Sequence, residues 1–192
     1  MCSSDLVGQI LEFLLAGHDT TGYSISWILL ELARNQEEQK RLRESLSSMS
    51  PEEWSKSDVL KMVVKEGMRL HPVAANGSIR VIGKDMMTSK KELLPKGSEV
   101  IMPFILLFRD PEVFENANSF CPSRWENPSK TMTEAFNPFS LGKQNCIGQS
   151  LARAEMHYVV ARICSEFNLV VEEEGSIDFF LTLKPDRKST RL

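Results

Sequence analysis

The sequence predicts a mainly α-helical fold with small β-sheets. Apolar residues continue from Leu6 to Leu32 with few interruptions, which is typical of a long helix buried on most sides. Between Ser78 and Phe104, short apolar runs alternate with turn signals such as Pro95-Lys96-Gly97, a pattern that favours short strands. The helical pattern returns from about Ile147 to Phe167. Helices therefore flank a small central β-region.

Composition places the 192-residue chain among folded globular proteins. It is 42% hydrophobic and 26% charged, with a net charge of -3. Lys and Arg are not in excess, so no nucleic-acid partner is expected. The four cysteines form no CxxC pair and no zinc-like spacing with histidine, which argues against a disulfide framework or zinc site. Charged residues within the long apolar run favour a buried helix over a membrane span.

Two further helices are predicted after the first. Asn35 is an N-cap candidate for a charged helix that continues from Gln39 to Leu46. A second capping pattern occurs at Ser50-Pro51-Glu52-Glu53. The next helix is expected from about Ser57 to Leu70, and Pro72 ends it because a residue before proline disfavours helical dihedral angles.

The remaining elements follow the predicted strands. Asp110-Pro111 can start a short helix, and residues 116–145 are rich in Asn, Pro and Ser and predict a long loop. Long ordered loops are often functional. After the helix from about Ile147 to Phe167, we expect residues 179–183 to pair with 169–171 as a closing hairpin.

Cys146 lies where this loop leads into the last helix. The positive end of a helix and nearby backbone amides favour thiolate over thiol, and a thiolate can hold heme iron. Gly142 and Gly148 suit this interpretation because a macrocycle needs close backbone approach. The alternative is that Cys146 is a small buried hydrophobic residue, as most free cysteines are.

The spacing Phe-x-x-Gly-x-x-x-Cys-x-Gly over residues 139–148 resembles the heme-binding signature of the cytochrome P450 family. The resemblance implies that Cys146 is the axial ligand of heme b (iron protoporphyrin IX) and that Phe139 packs beside the sulfur. Gly142 and Gly148 belong to the same signature. Gln144 stands where the family usually has Arg or His, so it can donate to a heme propionate but cannot neutralise it. We therefore expect weaker heme retention unless other basic residues compensate.

A Glu-x-x-Arg pair on the third predicted helix carries a second resemblance. Glu66 and Arg69 share a helix face, although such pairs are usually exposed and contribute little. The surrounding Lys-Glu-Gly-Met-Arg-Leu-His-Pro resembles the family's K helix, and Cys-Pro-Ser-Arg-Trp at 121–125 resembles its Pro-x-Arg-Phe-like motif. The resemblance implies that Glu66, Arg69 and Arg124 form a buried network that positions the cysteine loop. Their role is then structural.

Arg80, within Gly-Ser-Ile-Arg-Val at 77–81, matches a position where many family members bind a heme propionate. A planar cation beside a carboxylate in a dry pocket would be costly to remove. The alternative is a solvated arginine on a strand.

Ala-Gly-His-Asp-Thr-Thr at 16–21 places polar residues inside the long first helix, where they weaken helix formation. It resembles the family's oxygen-activation motif, where the helix bulges over the heme. The resemblance implies catalytic roles for Asp19, as the acid of a proton relay, and for Thr20, as the hydroxyl beside bound dioxygen. The alternative is that both only satisfy backbone carbonyls of an ordinary helix.

The resemblance extends from about Leu6 to Pro185. It implies that residues 1–192 are the C-terminal heme-binding portion of a single cytochrome P450 domain whose N-terminal half is absent, so the fold is incomplete. We expect both ends to be truncations, because the chain begins almost inside the first helix and stops without a terminating element. The pieces of substrate pocket that remain are residues 15–20, residues 73–78 and the region near Phe179 and Phe180.

The implied function is that of a heme-thiolate monooxygenase, which inserts one oxygen atom from dioxygen into an apolar organic substrate. Two alternatives remain. The intact protein could be a heme-thiolate isomerase, lyase or dehydratase, although such enzymes tend to lack the acid–alcohol pair. The isolated chain could instead be a catalytically inert, poorly soluble fragment with weak or no heme binding.

The resemblance also implies partners. Electrons would come from an NADPH-dependent reductase or a ferredoxin that docks near Lys143, Arg153 and Arg162, each of which could equally be a solvated surface charge. A membrane would be contacted only through a missing N-terminal anchor. The compartment is unknown from this chain, and the family favours the endoplasmic reticulum membrane or an organelle. The resemblance leaves Cys121 and Cys164 to core packing and gives the three histidines no ligand role.

Overall fold

The computed structural model describes residues 3–172, 177–179 and 182–185. Six α-helices lie in these ranges: α1 Ser3–Arg34, α2 Gln36–Leu46, α3 Asp58–Leu70, α4 Phe104–Leu107, α5 Lys130–Ala135 and α6 Gln149–Glu166. Six strands accompany them: β1 Ser78–Val81, β2 Met86–Met87, β3 Leu93–Leu94, β4 Glu99–Met102, β5 Ile177–Phe179 and β6 Leu183–Pro185. Short 3-10 helices lie at Trp54–Lys56, Pro122–Trp125 and Gly142–Gln144. The predicted mainly α fold with small β-sheets is confirmed.

The described strands form three antiparallel pairs, β1 with β4, β2 with β3 and β5 with β6. In the first pair Ser78 lies opposite Met102. The predicted hairpin between residues 169–171 and 179–183 is wrong, because β5 pairs with β6. The backbone of Leu169 is already occupied: its N–H donates to Gln39 Oε1 at 2.8 Å, and its carbonyl accepts from Gln36 and Gln39.

The main core lies where α1, α2, α3 and α6 meet. The fully buried side chains in this cluster are Ile28, Leu32, Leu42, Leu60, Val63, Val160, Ala161 and Cys164. α1 crosses α3 at Gly67, beside Ile28. Close contact at this crossing fixes the helix that carries Asp19 and Thr20 against the helix that carries Glu66 and Arg69.

Burial along α1 is uneven. From Trp27 to Ala33 every side chain is buried, whereas the large apolar side chains of the first half are exposed: Leu6, Val7, Ile10, Leu11, Phe13, Leu14 and Leu15. The prediction of a helix buried on most sides therefore holds only for its C-terminal half. No helix in the described ranges is long and apolar enough to cross a membrane.

Helix ends agree with the sequence only in part. Ser57 caps α3, because its hydroxyl oxygen accepts from the Leu60 N–H at 3.2 Å. Asn35 precedes α2, but its side chain does not cap that helix, since its amide nitrogen donates to the Glu31 carbonyl at 2.8 Å. The Ser50–Glu53 capping pattern forms a turn, and Asp110-Pro111 also lies in turns, just after α4.

Candidate functional site

Cys146 lies in a short loop that ends where α6 begins. Its N–H donates to the Phe139 carbonyl at 2.9 Å, which closes the loop, and Gly148 is the N-cap position of α6. Gly142 has φ +77°, a left-handed conformation that residues with a Cβ rarely adopt. The cysteine is exposed. The alternative that Cys146 is a buried core residue therefore does not describe this structure.

The surroundings of the thiol fit a large apolar ring with a metal at its centre. Leu141, Ile147 and Leu151, which flank Cys146 in the sequence, are exposed, and Ile147 is 84% exposed. A Cβ added at Gly142 would meet nothing within 4 Å, and one at Gly148 would lie 3.8 Å from the Cys146 sulfur. A soft sulfur donor bordered by open apolar surface is the donor chemistry that heme iron uses. The residues present therefore fit heme.

Phe139 and Gln144 differ in how firmly they are held. The Phe139 ring is half-buried against the main core, and the Arg153 guanidinium lies 5.0 Å from its centroid. Burial lowers the pKa of Arg153. Gln144 is exposed within the 3-10 helix. The aromatic ring thus anchors the start of the loop, while Gln144 stays accessible to a ligand.

Arg80 reaches the cysteine loop from β1. Its Nη2 donates to the Ser140 hydroxyl at 2.9 Å, and Ser78 donates to the same oxygen at 3.0 Å. Ser140 has φ +62°, so the chain turns sharply at this point. The structure therefore brings Arg80 to the loop that carries Cys146, although its predicted propionate contact stays a prediction.

The Glu66 carboxylate is fully buried and accepts five hydrogen bonds. Arg69 donates to both oxygens, each at 2.9 Å. Oε1 also accepts from Arg124 Nε and the Cys121 N–H, and Oε2 accepts from the Trp125 indole, all at 2.9 Å. Five donors fill the roughly four lone-pair sites of a carboxylate, and these bonds offset the free-energy cost of burying its charge.

Arg69 is equally satisfied and also has no exposed surface. Besides its two bonds to Glu66, it donates to the carbonyls of Phe108, Ala117 and Ser119 at 2.8, 2.7 and 3.1 Å. All five N–H donors of the guanidinium therefore have an acceptor. The pair fastens α3 to residues 108–125. The idea that it also positions the cysteine loop stays a proposal.

Asp19 and Thr20 lie half-buried on α1. The Thr20 hydroxyl donates to the Ala16 carbonyl at 2.6 Å, and Asp19 Oδ1 lies 2.9 Å from His18 Nδ1. α1 is continuously α-helical through these residues and shows no bulge. Among the described residues their hydrogen bonds stay within α1. For Thr20, this is the arrangement expected if the hydroxyl only satisfies a backbone carbonyl of an ordinary helix.

Three side chains that take part in these hydrogen bonds and ion pairs were not predicted from the sequence. Ser140 joins β1 to the cysteine loop, Trp125 donates to Glu66, and His71 pairs with Glu31. The indole N–H of Trp125 was a usable signal, since a buried tryptophan needs an acceptor. No local signal marked Ser140, because its partners are distant in sequence.

The mainly helical fold, the exposed cysteine in a glycine-containing loop and the buried Glu66–Arg69 network agree with the class of protein that the sequence motifs resemble. A sequence model of the family described as Cytochrome P450 matches residues 1–187. The chain belongs to the cytochrome P450 family.

Individual proteins of the cytochrome P450 family are also similar to this chain. The chain is 34% identical to rat (Rattus norvegicus) cytochrome P450 4F5 over 185 residues, covering 91% of the chain and 35% of the relative. It is 29% identical to mouse (Mus musculus) mitochondrial sterol 26-hydroxylase over 184 residues, covering 89% and 34%. The crystal structure of the cytochrome P450 CYP102L1 superposes with a TM-score of 0.82 at 26% identity, covering 93% of this chain and 43% of that one. The chain spans about a third of the length of these curated relatives.

Proposed function

We propose that this chain is the C-terminal heme-binding portion of a single P450 domain, and that the intact protein is a heme-thiolate monooxygenase. The observation that carries the proposal is Cys146, exposed at the start of α6 within the family's signature spacing. Cys146 would supply the sulfur that ligates the iron of heme b. Bound heme would supply iron that activates dioxygen: one oxygen atom would enter the substrate, and the other would leave as water with two protons and two electrons from a partner.

The residues around Cys146 would hold its sulfur in place for the iron. The N-terminal end of α6 carries a positive partial charge that stabilises an anion. The bond from the Cys146 N–H to Phe139 fixes the backbone of the loop. Arg80 is available to pair with a propionate and would compensate for the missing cation at Gln144.

Asp19 and Thr20 would take part in proton transfer. The Thr20 hydroxyl keeps lone pairs free while its proton is held by the Ala16 carbonyl. Asp19 lies next to His18, whose side chain is 88% exposed, so the carboxylate has a route to solvent. An acid and an alcohol at adjacent positions favour a monooxygenase over an isomerase, lyase or dehydratase, which need no proton delivery to dioxygen.

The substrate would be an apolar organic molecule. One relative is named a sterol 26-hydroxylase, which is consistent with this substrate class. The electron donor would be an NADPH-dependent reductase or a ferredoxin. Of the three docking candidates, Arg153 stacks on Phe139 and Arg162 pairs with Glu166 at 2.7 Å, so Lys143 is the best placed. Attachment to the endoplasmic reticulum or to an organelle is part of the same family-based proposal.

The test is isotopic. The full-length, heme-loaded protein is incubated with an electron donor, a sterol probe and ¹⁸O-labelled dioxygen, and product mass is measured. The proposal predicts products that gain one ¹⁸O atom. Asp19→Asn and Thr20→Ala should lower product formed per electron pair consumed, whereas Thr20→Ser, which keeps the hydroxyl, should not. Product that forms equally well without dioxygen would support the isomerase or lyase alternative instead.

A further inference from the structure

A second buried ionisable pair joins α1 to the end of α3. His71 Nε2 lies 2.9 Å from Glu31 Oε1, and the two residues are only 5% and 6% exposed. The imidazole stacks on the Trp27 indole, with ring centroids 4.1 Å apart and planes 4° from parallel. The Trp27 indole in turn donates to the Leu183 carbonyl at 3.1 Å. The His71 ring is therefore held rigidly on one face and at one nitrogen.

The geometry fixes the tautomer of His71. Burial alone would raise the pKa of Glu31, but the bonds from His71 and Arg34 outweigh it and lower this pKa overall. Glu31 is therefore an ionised, acceptor-only carboxylate, and the His71 proton must lie on Nε2. The other nitrogen, Nδ1, is buried and has no hydrogen-bond partner in the described part of the chain.

Adding a second proton to His71 would be costly. Among the described residues the new N–H at Nδ1 would be a buried donor without an acceptor. The charged groups that face the ring are Glu31 and Arg34 on α1 and Arg109 after α4, whose guanidinium is fixed to the Leu70 carbonyl. Burial lowers the pKa of His71 most, Glu31 opposes this, and Arg109 and Arg34 add to the lowering. Neutral imidazole is thus the state that this site accepts.

We propose that Glu31 and His71 form a proton-sensitive tie between α1 and α3. With neutral His71 the pair holds the helix that carries Asp19 and Thr20 against the helix that carries Glu66 and Arg69. A proton on Nδ1 adds a charge and an unpaired donor inside this contact, and burial disfavours them more than Glu31 favours the charge, so the packing of the two helices is destabilised. Both are positioning residues, since neither lies at the cysteine loop. This tie would act whatever reaction the protein catalyses.

Proton linkage determines how the stability contributed by His71 changes with pH. An unfolded chain binds a proton at His71 near the ordinary pKa of 6.5, whereas the folded chain binds it only at lower pH. Stability contributed by His71 is therefore complete above 6.5 and falls as the pH drops below that value, until the lowered pKa of the folded state is reached. Above the ordinary pKa the contribution does not change.

The test compares the unfolding equilibrium of the full-length, heme-loaded protein with that of His71→Phe, which keeps a ring for Trp27 but cannot titrate. The variant should unfold more readily near about pH 8, and the ratio of its unfolding constant to that of the native protein should shrink about tenfold per pH unit below the ordinary pKa of histidine. His157→Gln is the matched control, since His157 is only half-buried on α6. His157→Gln should change the unfolding constant and its pH dependence less than His71→Phe does.

A ratio for His71→Phe that stays constant with pH would overturn the proposal, as would a control that accounts for the whole pH dependence. If His71→Phe does not fold, NMR titration of ¹³C-labelled histidine rings in the native protein decides the matter. A His71 midpoint well below 6.5 supports the tie, and one at or above 6.5 contradicts it.

Discussion

Ile28 on α1 lies against Gly67 on α3 so closely that a side chain at position 67 would force its neighbours to shift. A Cβ added there would overlap Cγ1 of Ile28 and lie 3.3 Å from its Cβ. Gly67 is also the residue next to Glu66, whose carboxylate is buried. The crossing of the two helices and the buried charge network therefore depend on the same turn of α3.

Gly67→Ala should reduce stability by about 1–3 kcal/mol, because an overpacked helix crossing forces side chains and backbone to shift. Gly22→Ala is the control. A Cβ at Gly22 meets nothing within 4 Å, so alanine there should raise stability by about 1 kcal/mol through helix propensity. Denaturant unfolding measures both. Equal changes in stability from the two substitutions would show that close packing at Ile28 does not limit which residue position 67 accepts.

Arg69→Lys should be severe although it keeps the charge. A lysine ammonium has three donors at one point and cannot reach five separate acceptors, so buried carbonyls and part of Glu66 would lose their partners. A loss of about 3–5 kcal/mol is expected from chemical unfolding. Lys61→Ala, in the exposed Asp58–Lys61 pair with the same three-residue spacing on α3, should change little. Similar losses in both variants would refute the structural role of the buried pair.

Cysteine reactivity should separate Cys146 from Cys164. Burial raises the pKa of Cys164 to about 12, so almost no thiolate forms there at neutral pH. Alkylation followed by mass spectrometry of the native apoprotein should modify the exposed Cys146 quickly and Cys164 only after unfolding. Heme loading should protect Cys146. Modification of Cys146 at an unchanged rate in the loaded protein would argue against ligation.

Gln144→Arg should slow heme loss. Arginine restores the cation that the family usually places near a propionate, and one charge-assisted bond corresponds to about a tenfold slower transfer of heme to apomyoglobin. Lys143→Arg keeps the charge of the neighbouring residue and should leave the rate unchanged. If Gln144→Arg releases heme as fast as the native chain, Arg80 and other groups already satisfy the propionates.

The sequence predicted the parts of the fold that depend on local patterns. α3 begins and ends close to the predicted bounds because Ser57 caps it and Pro72 follows it. The spacing of residues 139–148 led to Cys146 without a structure. The order of four short motifs predicted membership of the cytochrome P450 family, and the match of the family model to residues 1–187 confirms it.

Contacts between distant residues could not be predicted. Nothing local in the sequence shows that Leu169 bonds to Gln39 rather than to a strand, or that Ser140 meets Arg80. The Glu31–His71 pair spans forty residues and depends on how α1 crosses α3. The apolar first half of α1 has no covering element among the described residues, so apolar composition alone could not predict its exposure in this chain.

Ligation by Cys146 is the central claim, and an absorption spectrum of the dithionite-reduced, carbon-monoxide-bound protein tests it most directly. Full-length native protein and Cys121→Ser should both give the strongly red-shifted Soret band of thiolate ligation, and Cys146→Ser should lose it. A Cys146→Ser variant that binds heme and keeps the red-shifted band would contradict the assignment of this cysteine as the axial ligand.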